Sequence, residues 1–135
     1  MKAKFVYTAL SYIIPTMFLG YTWHFMLFHD LYNDLEIYNK MEPNIPLGFF
    51  SMILQGCIIA YFYPFYSKGQ NSVKQALKFS LLMGAFLYSI STLANAAKIN
   101  VTDMTIWLGI QFAFHFLQFG VAGVFIGLVN RERGN

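Results

Sequence analysis

Four long apolar runs, at residues 5–28, 46–66, 74–97 and 105–129, alternate with short polar stretches along the chain. Each is long enough to cross a hydrocarbon core of roughly 30 Å as one helix. The last run, Thr105 to Val129, holds no formal charge and has two unusual faces when wound as a helix. Gln111, His115 and Gln118, at i, i+4 and i+7, form a polar stripe. Gly109, Ala113, Gly120, Gly123 and Gly127 form a ridge of small residues on the other side. A helix with two special faces is expected to have neighbours on both.

The other runs each carry one stripe. In the first, Tyr12, Thr16, Gly20, Trp23 and Leu27 share a face, His24 sits beside it, and Pro15 predicts a kink that a membrane bundle can absorb. In the second the stripe is Gly48, Ser51, Gln55, Ile59, Phe62 and Tyr66; in the third it is Gly84, Tyr88, Ser91 and Asn95. These stripes are expected to face one another. Residues 29–46 are the one sizeable loop. There Leu31, Leu35 and Tyr38 recur at i, i+4 and i+7, and Pro43 would stop a helix. The pattern predicts a short amphipathic helix on the membrane surface, capped by Asp30. The expected fold is a single-domain, all-α membrane protein of four transmembrane helices, with that short helix in the first, outer loop.

Composition strengthens this reading. Hydrophobic residues make up 57% and charged ones 11% of the 135 residues, against the ~25% charged of soluble domains. The net charge of +3 does not point to nucleic acid, because the basic residues cluster at span ends, where they set topology. Lys2, Lys4, Lys68, Lys74, Lys78, Arg131 and Arg133 fall on one side, and Lys40 and Lys98 on the other. By the positive-inside rule both termini and the middle loop are cytoplasmic, and the acidic loop of Asp30, Asp34, Glu36 and Glu42 faces out. A cleaved signal peptide is not expected, since the first run is too long and no Ala-x-Ala-like site follows it. The one cysteine, Cys57, excludes an internal disulfide and reads as a small buried hydrophobe. Gly20 and Gly56 recur 64 residues later as Gly84 and Gly120, a faint echo of two parallel halves.

The chemistry-bearing residues gather, on this reading, in a mid-membrane polar cluster of Gln55, Tyr88, Ser91, Asn95, Gln111, His115 and Gln118. An amide or imidazole at that depth must face protein or water. Interhelical hydrogen bonding, worth about 0.6 to 2 kcal/mol per contact, is the plainer explanation; a functional cavity around His115 is the sharper one. His24 and His115 as a haem-ligating pair are opposed by a depth difference near ~10 Å along their helices. His29, Asp30 and Asp34 are weak metal ligands on paper, and a helix cap with a solvated face explains them as well. Phosphate loops, nucleophile elbows, HExxH and CxxC are all missing. No cofactor is expected.

The stretch LGYTWHFMLFHDLY leaving the first span, EPNIPLGF opening the second, Leu-Met-Gly in the third and the glycine-rich last span carry a resemblance over nearly the whole chain. In these parts it resembles a domain-of-unknown-function family of small four-span bacterial integral membrane proteins. The resemblance implies four membrane helices in a prokaryotic cytoplasmic membrane, and no chemistry. The leading functional expectation is a small non-enzymatic structural or accessory subunit, associating with itself or a larger membrane complex through the glycine ridge. A transporter or channel subunit using the polar cluster comes second, and a lipid-, quinone- or haem-binding redox subunit third.

Overall fold

The computed structural model describes residues 2–37 and 44–131, all helix and turn with no strand among them. Helix α1 (Lys2–Tyr21) runs through Pro15 and continues as a π-helical segment, Thr22–Leu27. A six-residue helix α2 (His29–Asp34) follows. Next come α3 (Ile45–Ser67) and α4 (Val73–Tyr88), the latter continued by a second π segment, Ser89–Leu93, and a last turn, α5 (Ala94–Ala96). The longest helix, α6 (Met104–Asn130), ends the fold.

Local chemistry sets the helix ends. Asn44, Ser72 and Asp103 each accept a hydrogen bond from the backbone N–H three residues on, which pairs one of the free donors of α3, α4 and α6. Lys68 (φ 47°) and Gly69 (φ 84°) turn the chain out of α3 through the left-handed region.

Three helical stretches are long and apolar enough to cross a membrane: Ile45–Ser67, Val73–Ala96 and Met104–Asn130. The first helix is not among them. It opens on Lys2 and Lys4 and turns Thr8, Ser11, Tyr12 and Thr16 to the interior. Its outward face is nonetheless apolar, with Phe18 67% exposed, as are those of α4 (Phe86, 62%) and α6 (Phe116, 57%). Buried Gln111, His115, Gln118 and Asn130 complete an inversion of the soluble pattern: phenylalanines outside, amides and imidazole inside.

Helix α6 lies between α1 and α4. Gly123 and Gly127 let α4 approach: a Cβ on Gly127 would stand 2.5 Å from Val73 Cα, and one on Gly123 2.9 Å from Leu77 Cα. Gly84 admits the Phe119 ring in the same way. Gly56 brings α3 onto α1, against Ile13 and the Ala9 carbonyl. At the basic end Tyr63 and Tyr66 of α3 pack on Phe79 of α4, with ring centroids 5.5 and 5.2 Å apart. Tyr12, Ile59, Phe119 and Ile126 join them in one core. A second core, of Trp23, Tyr32, Leu35, Trp107 and Phe114, fills the other end.

Several expectations change. Helix α2 packs its Tyr32 and Leu35 into the bundle. Tyr32 is fully buried and Leu35 nearly so, while Leu31 is half-buried, because Tyr32 plugs the step where α6 extends past the end of α1. Asp30 is not its cap; Phe28 holds the cap position without a side-chain bond. Tyr38, Lys40, Glu42, Pro43 and Arg133 lie outside the described residues. On α3 the inward face runs through Gly56, Ile59, Ala60 and Tyr63, leaving Phe62 exposed.

Candidate functional site

The four helices border an open-sided cavity of about 530 Å³. Its walls come from the π segment of α1 (His24), the first half of α3 (Gln55), the π segment after α4 (Ser91) and the middle of α6 (Gln111, His115, Gln118). Met17, Phe49, Met52, Leu87 and Phe114 make the apolar part. Among the described lining residues there is no carboxylate, lysine, arginine or cysteine.

Both π segments border this space, each with one polar side chain on its wall. A π turn inserts a residue into the helical ladder, and such insertions recur at functional sites. Side chains take up some of the nearby carbonyls. Ser91 Oγ donates to Leu87 O at 2.8 Å, Ser89 Oγ to Phe86 O at 2.7 Å, and Asn95 Nδ2 to Ser91 O at 2.8 Å.

A hydrogen-bonded chain crosses the floor. Gln118 Nε2 donates to the Tyr12 hydroxyl at 2.8 Å, Tyr12 donates to Gln55 Oε1 at 2.5 Å, and Gln55 Nε2 donates to Ser51 Oγ at 3.0 Å. It joins α6, α1 and α3. Near the roof, Gln111 Nε2 donates to the Tyr32 hydroxyl at 3.0 Å. His115 Nδ1 lies 2.7 Å from the Gln111 carbonyl. A carbonyl only accepts, so Nδ1 carries the proton and Nε2 of the neutral ring is an acceptor. Ser91 Oγ stands 3.2 Å from that Nε2.

Three polar atoms of the lining are buried without a partner, Thr16 Oγ1, His24 Nδ1 and Gln118 Oε1. Gln118 is only 4% exposed. A buried amide oxygen without a donor costs roughly 1–3 kcal/mol, a cost that a donor entering the cavity would remove.

Of the sequence-predicted cluster, Gln55, Ser91, Gln111, His115 and Gln118 meet at this cavity. Tyr88 and Asn95 do not. Tyr88 sits behind His115, its ring edge-on at 5.7 Å and its hydroxyl donating to Leu108 O at 3.1 Å. Asn95 is exposed, because the wider π turn ahead of it shifts the helical register. His24 and His115, set apart by depth in the sequence reading, border the same cavity on either side of Phe114, at 4.5 and 5.6 Å between ring centroids. The depth count assumed that all helices end in one plane; α6 begins beyond the end of α1, and α2 fills the difference. Tyr12 and Tyr32, which hydrogen-bond to the lining glutamines, stand outside the sequence-predicted cluster. The first shared the predicted stripe of α1, and the second stood in a loop expected to be solvated.

The small-residue ridge divides. Gly123 and Gly127 are filled by α4, whereas Cβ positions at Gly109 and Gly120 face open space, and Ala113 packs against the second core. The echo of halves is equally uneven, since Gly56 and Gly84 are tight and Gly20 and Gly120 open. At the proposed metal position, His29 Nδ1 approaches Asp30 Oδ1 at 3.2 Å, and Asp34 does not join. Three metal-ligating side chains do not gather anywhere among the described residues. Comparison of the chain with family models, with curated proteins and with solved structures returns no match.

Proposed function

We propose that the chain is a four-span integral membrane protein, with both termini cytoplasmic, that binds a neutral, membrane-soluble molecule through a hydroxyl group. The first span counts as the fourth crossing because its polar side chains turn inward and its outer face, at Phe18, is apolar. Supporting a ligand-holding role is one observation above all: Gln118 Oε1 stays buried and partnerless on the wall of a cavity that carries no charged side chain among its described lining. His115 Nε2 adds a second acceptor. Acceptors at Gln118 and His115, a free hydroxyl at Thr16 and no lining charge suit a neutral group that both donates and accepts, which describes a hydroxyl-bearing lipid or a quinol better than a quinone, whose carbonyls only accept. The reading is binding rather than catalysis: Ser91 Oγ stands 3.2 Å from His115 Nε2 but gives its hydrogen to Leu87 O, and no carboxylate on the wall orients the imidazole.

Self-association through the glycine ridge keeps narrower support, because α4 occupies Gly123 and Gly127. The test is extraction of the protein in mild detergent, followed by mass analysis of what travels with it. Wild type is expected to carry a hydroxyl-bearing apolar molecule that a Gln118→Leu, His115→Leu double variant loses. Equal recovery from both proteins would contradict the assignment.

A further inference from the structure

A second, larger cavity of about 790 Å³ lies at the opposite, basic end, between the first turns of α1 and the last turns of α3. We infer that it receives the phosphate-bearing head group of an anionic phospholipid. The hydrogen-bond inventory decides the sign of the ligand. Lys2 and Lys4 line the cavity and bring ammonium donors. Tyr63, also on its wall, is fully buried, and its hydroxyl has no partner. Asn130 Nδ2 and Thr8 are already engaged: Asn130 Nδ2 gives its hydrogens to Thr8 Oγ1 and Ile126 O, both at 2.9 Å, and Thr8 Oγ1 donates to Lys4 O at 2.8 Å. The Tyr63 hydroxyl and the two lysine ammonium groups bring donors, two of them charged, and these fit an anionic acceptor.

Charge placement agrees. Lys68 and Arg131 follow the helix ends beside this cavity, while the described acids, Asp30, Asp34, Glu36 and Asp103, all belong to the other end of the bundle. The walls say which anion. Phe5, Val6, Tyr61 and Phe65 line the same cavity, and each exposes a large apolar surface outward. A head group at the lysines with a chain along these rings satisfies both halves, and basic pockets between membrane helices are known to hold such lipids.

The experiment uses the full chain in nanodiscs of mixed phosphatidylglycerol and phosphatidylcholine, with native mass measurement of the lipid retained on release. Wild type should keep phosphatidylglycerol over phosphatidylcholine by at least about tenfold, given two lysines near the surface. The Lys2→Gln, Lys4→Gln double variant should bring the ratio near parity. Tyr63→Phe should lower it severalfold, and Lys98→Gln at the far end should leave it unchanged. No preference in wild type, or an undiminished one in the lysine double variant, overturns the site. Displacement of the lipid by millimolar inorganic phosphate would assign the cavity to a soluble phosphate group and overturn the lipid.

Discussion

Gln118 gives its amide hydrogen to the Tyr12 hydroxyl at 2.8 Å and holds its own carbonyl oxygen, buried and unpaired, against the cavity. One side chain thus serves two ends: its nitrogen ties α6 to α1, and its oxygen is left for something else. Tyr12 is the hinge of this arrangement, since it passes the chain on to Gln55. Tyr12→Phe should therefore cost about 1–2 kcal/mol, because it orphans Gln55 Oε1 and Gln118 Nε2 together. Thermal unfolding in detergent reads this, and an unchanged midpoint would show that the chain of hydrogen bonds contributes nothing.

Gln118→Leu separates the two roles. It removes one donor to Tyr12 but also deletes the unpaired oxygen, so its effect on stability should be smaller than that of Tyr12→Phe, while ligand retention falls. A loss of stability larger than that of Tyr12→Phe would mean that Gln118 is interhelical glue and nothing more.

Glycine substitutions should sort by neighbour. Gly127→Leu forces a side chain into Val73 and Ala76, and should destabilise the fold by about 1–3 kcal/mol or more. Gly120→Leu, facing open space, should leave stability within about 0.5 kcal/mol of wild type. If Gly120→Leu instead abolishes cross-linked oligomers in nanodiscs, the open part of the ridge is an interface between copies.

Topology is tested by labelling intact cells with a membrane-impermeant thiol reagent, in a Cys57→Ser background. Asp34→Cys should react from outside and Gln70→Cys only after permeabilisation. The reverse pattern would invert the bundle and place the two cavities on opposite sides from those argued above.

Much of this was legible in the sequence. The starts of α3, α4 and α6 fall within a residue of the apolar runs, because Asn44, Ser72 and Asp103 are cap residues standing directly before them. The i, i+4, i+7 stripe of Gln111, His115 and Gln118 is buried along its whole length, as 3.6-residue periodicity requires. Periodicity failed where the helix ceased to be an α-helix. The π segments at Thr22–Leu27 and Ser89–Leu93 shift everything beyond them, which took Leu27 and Asn95 off their predicted inward faces. Tyr32 was invisible for another reason. Its burial depends on α6 reaching past α1, a stagger between elements that no local pattern encodes.

The claim that the central cavity binds a neutral hydroxyl donor can be read from the protein's own fluorescence. Its two tryptophans, Trp23 and Trp107, both sit in the core that roofs the cavity, with Trp23 5.8 Å from the cavity-lining Phe114 ring. The measurement is titration of protein in liposomes with a short-tailed benzoquinol, beside its dimethyl ether, which keeps the ring and cannot donate. Saturable quenching by the quinol is predicted, with affinity at least about tenfold weaker for the ether and for the Gln118→Leu variant, the worth of one hydrogen bond to a buried acceptor. Quenching that never saturates, or equal affinity for quinol and ether, would contradict the account.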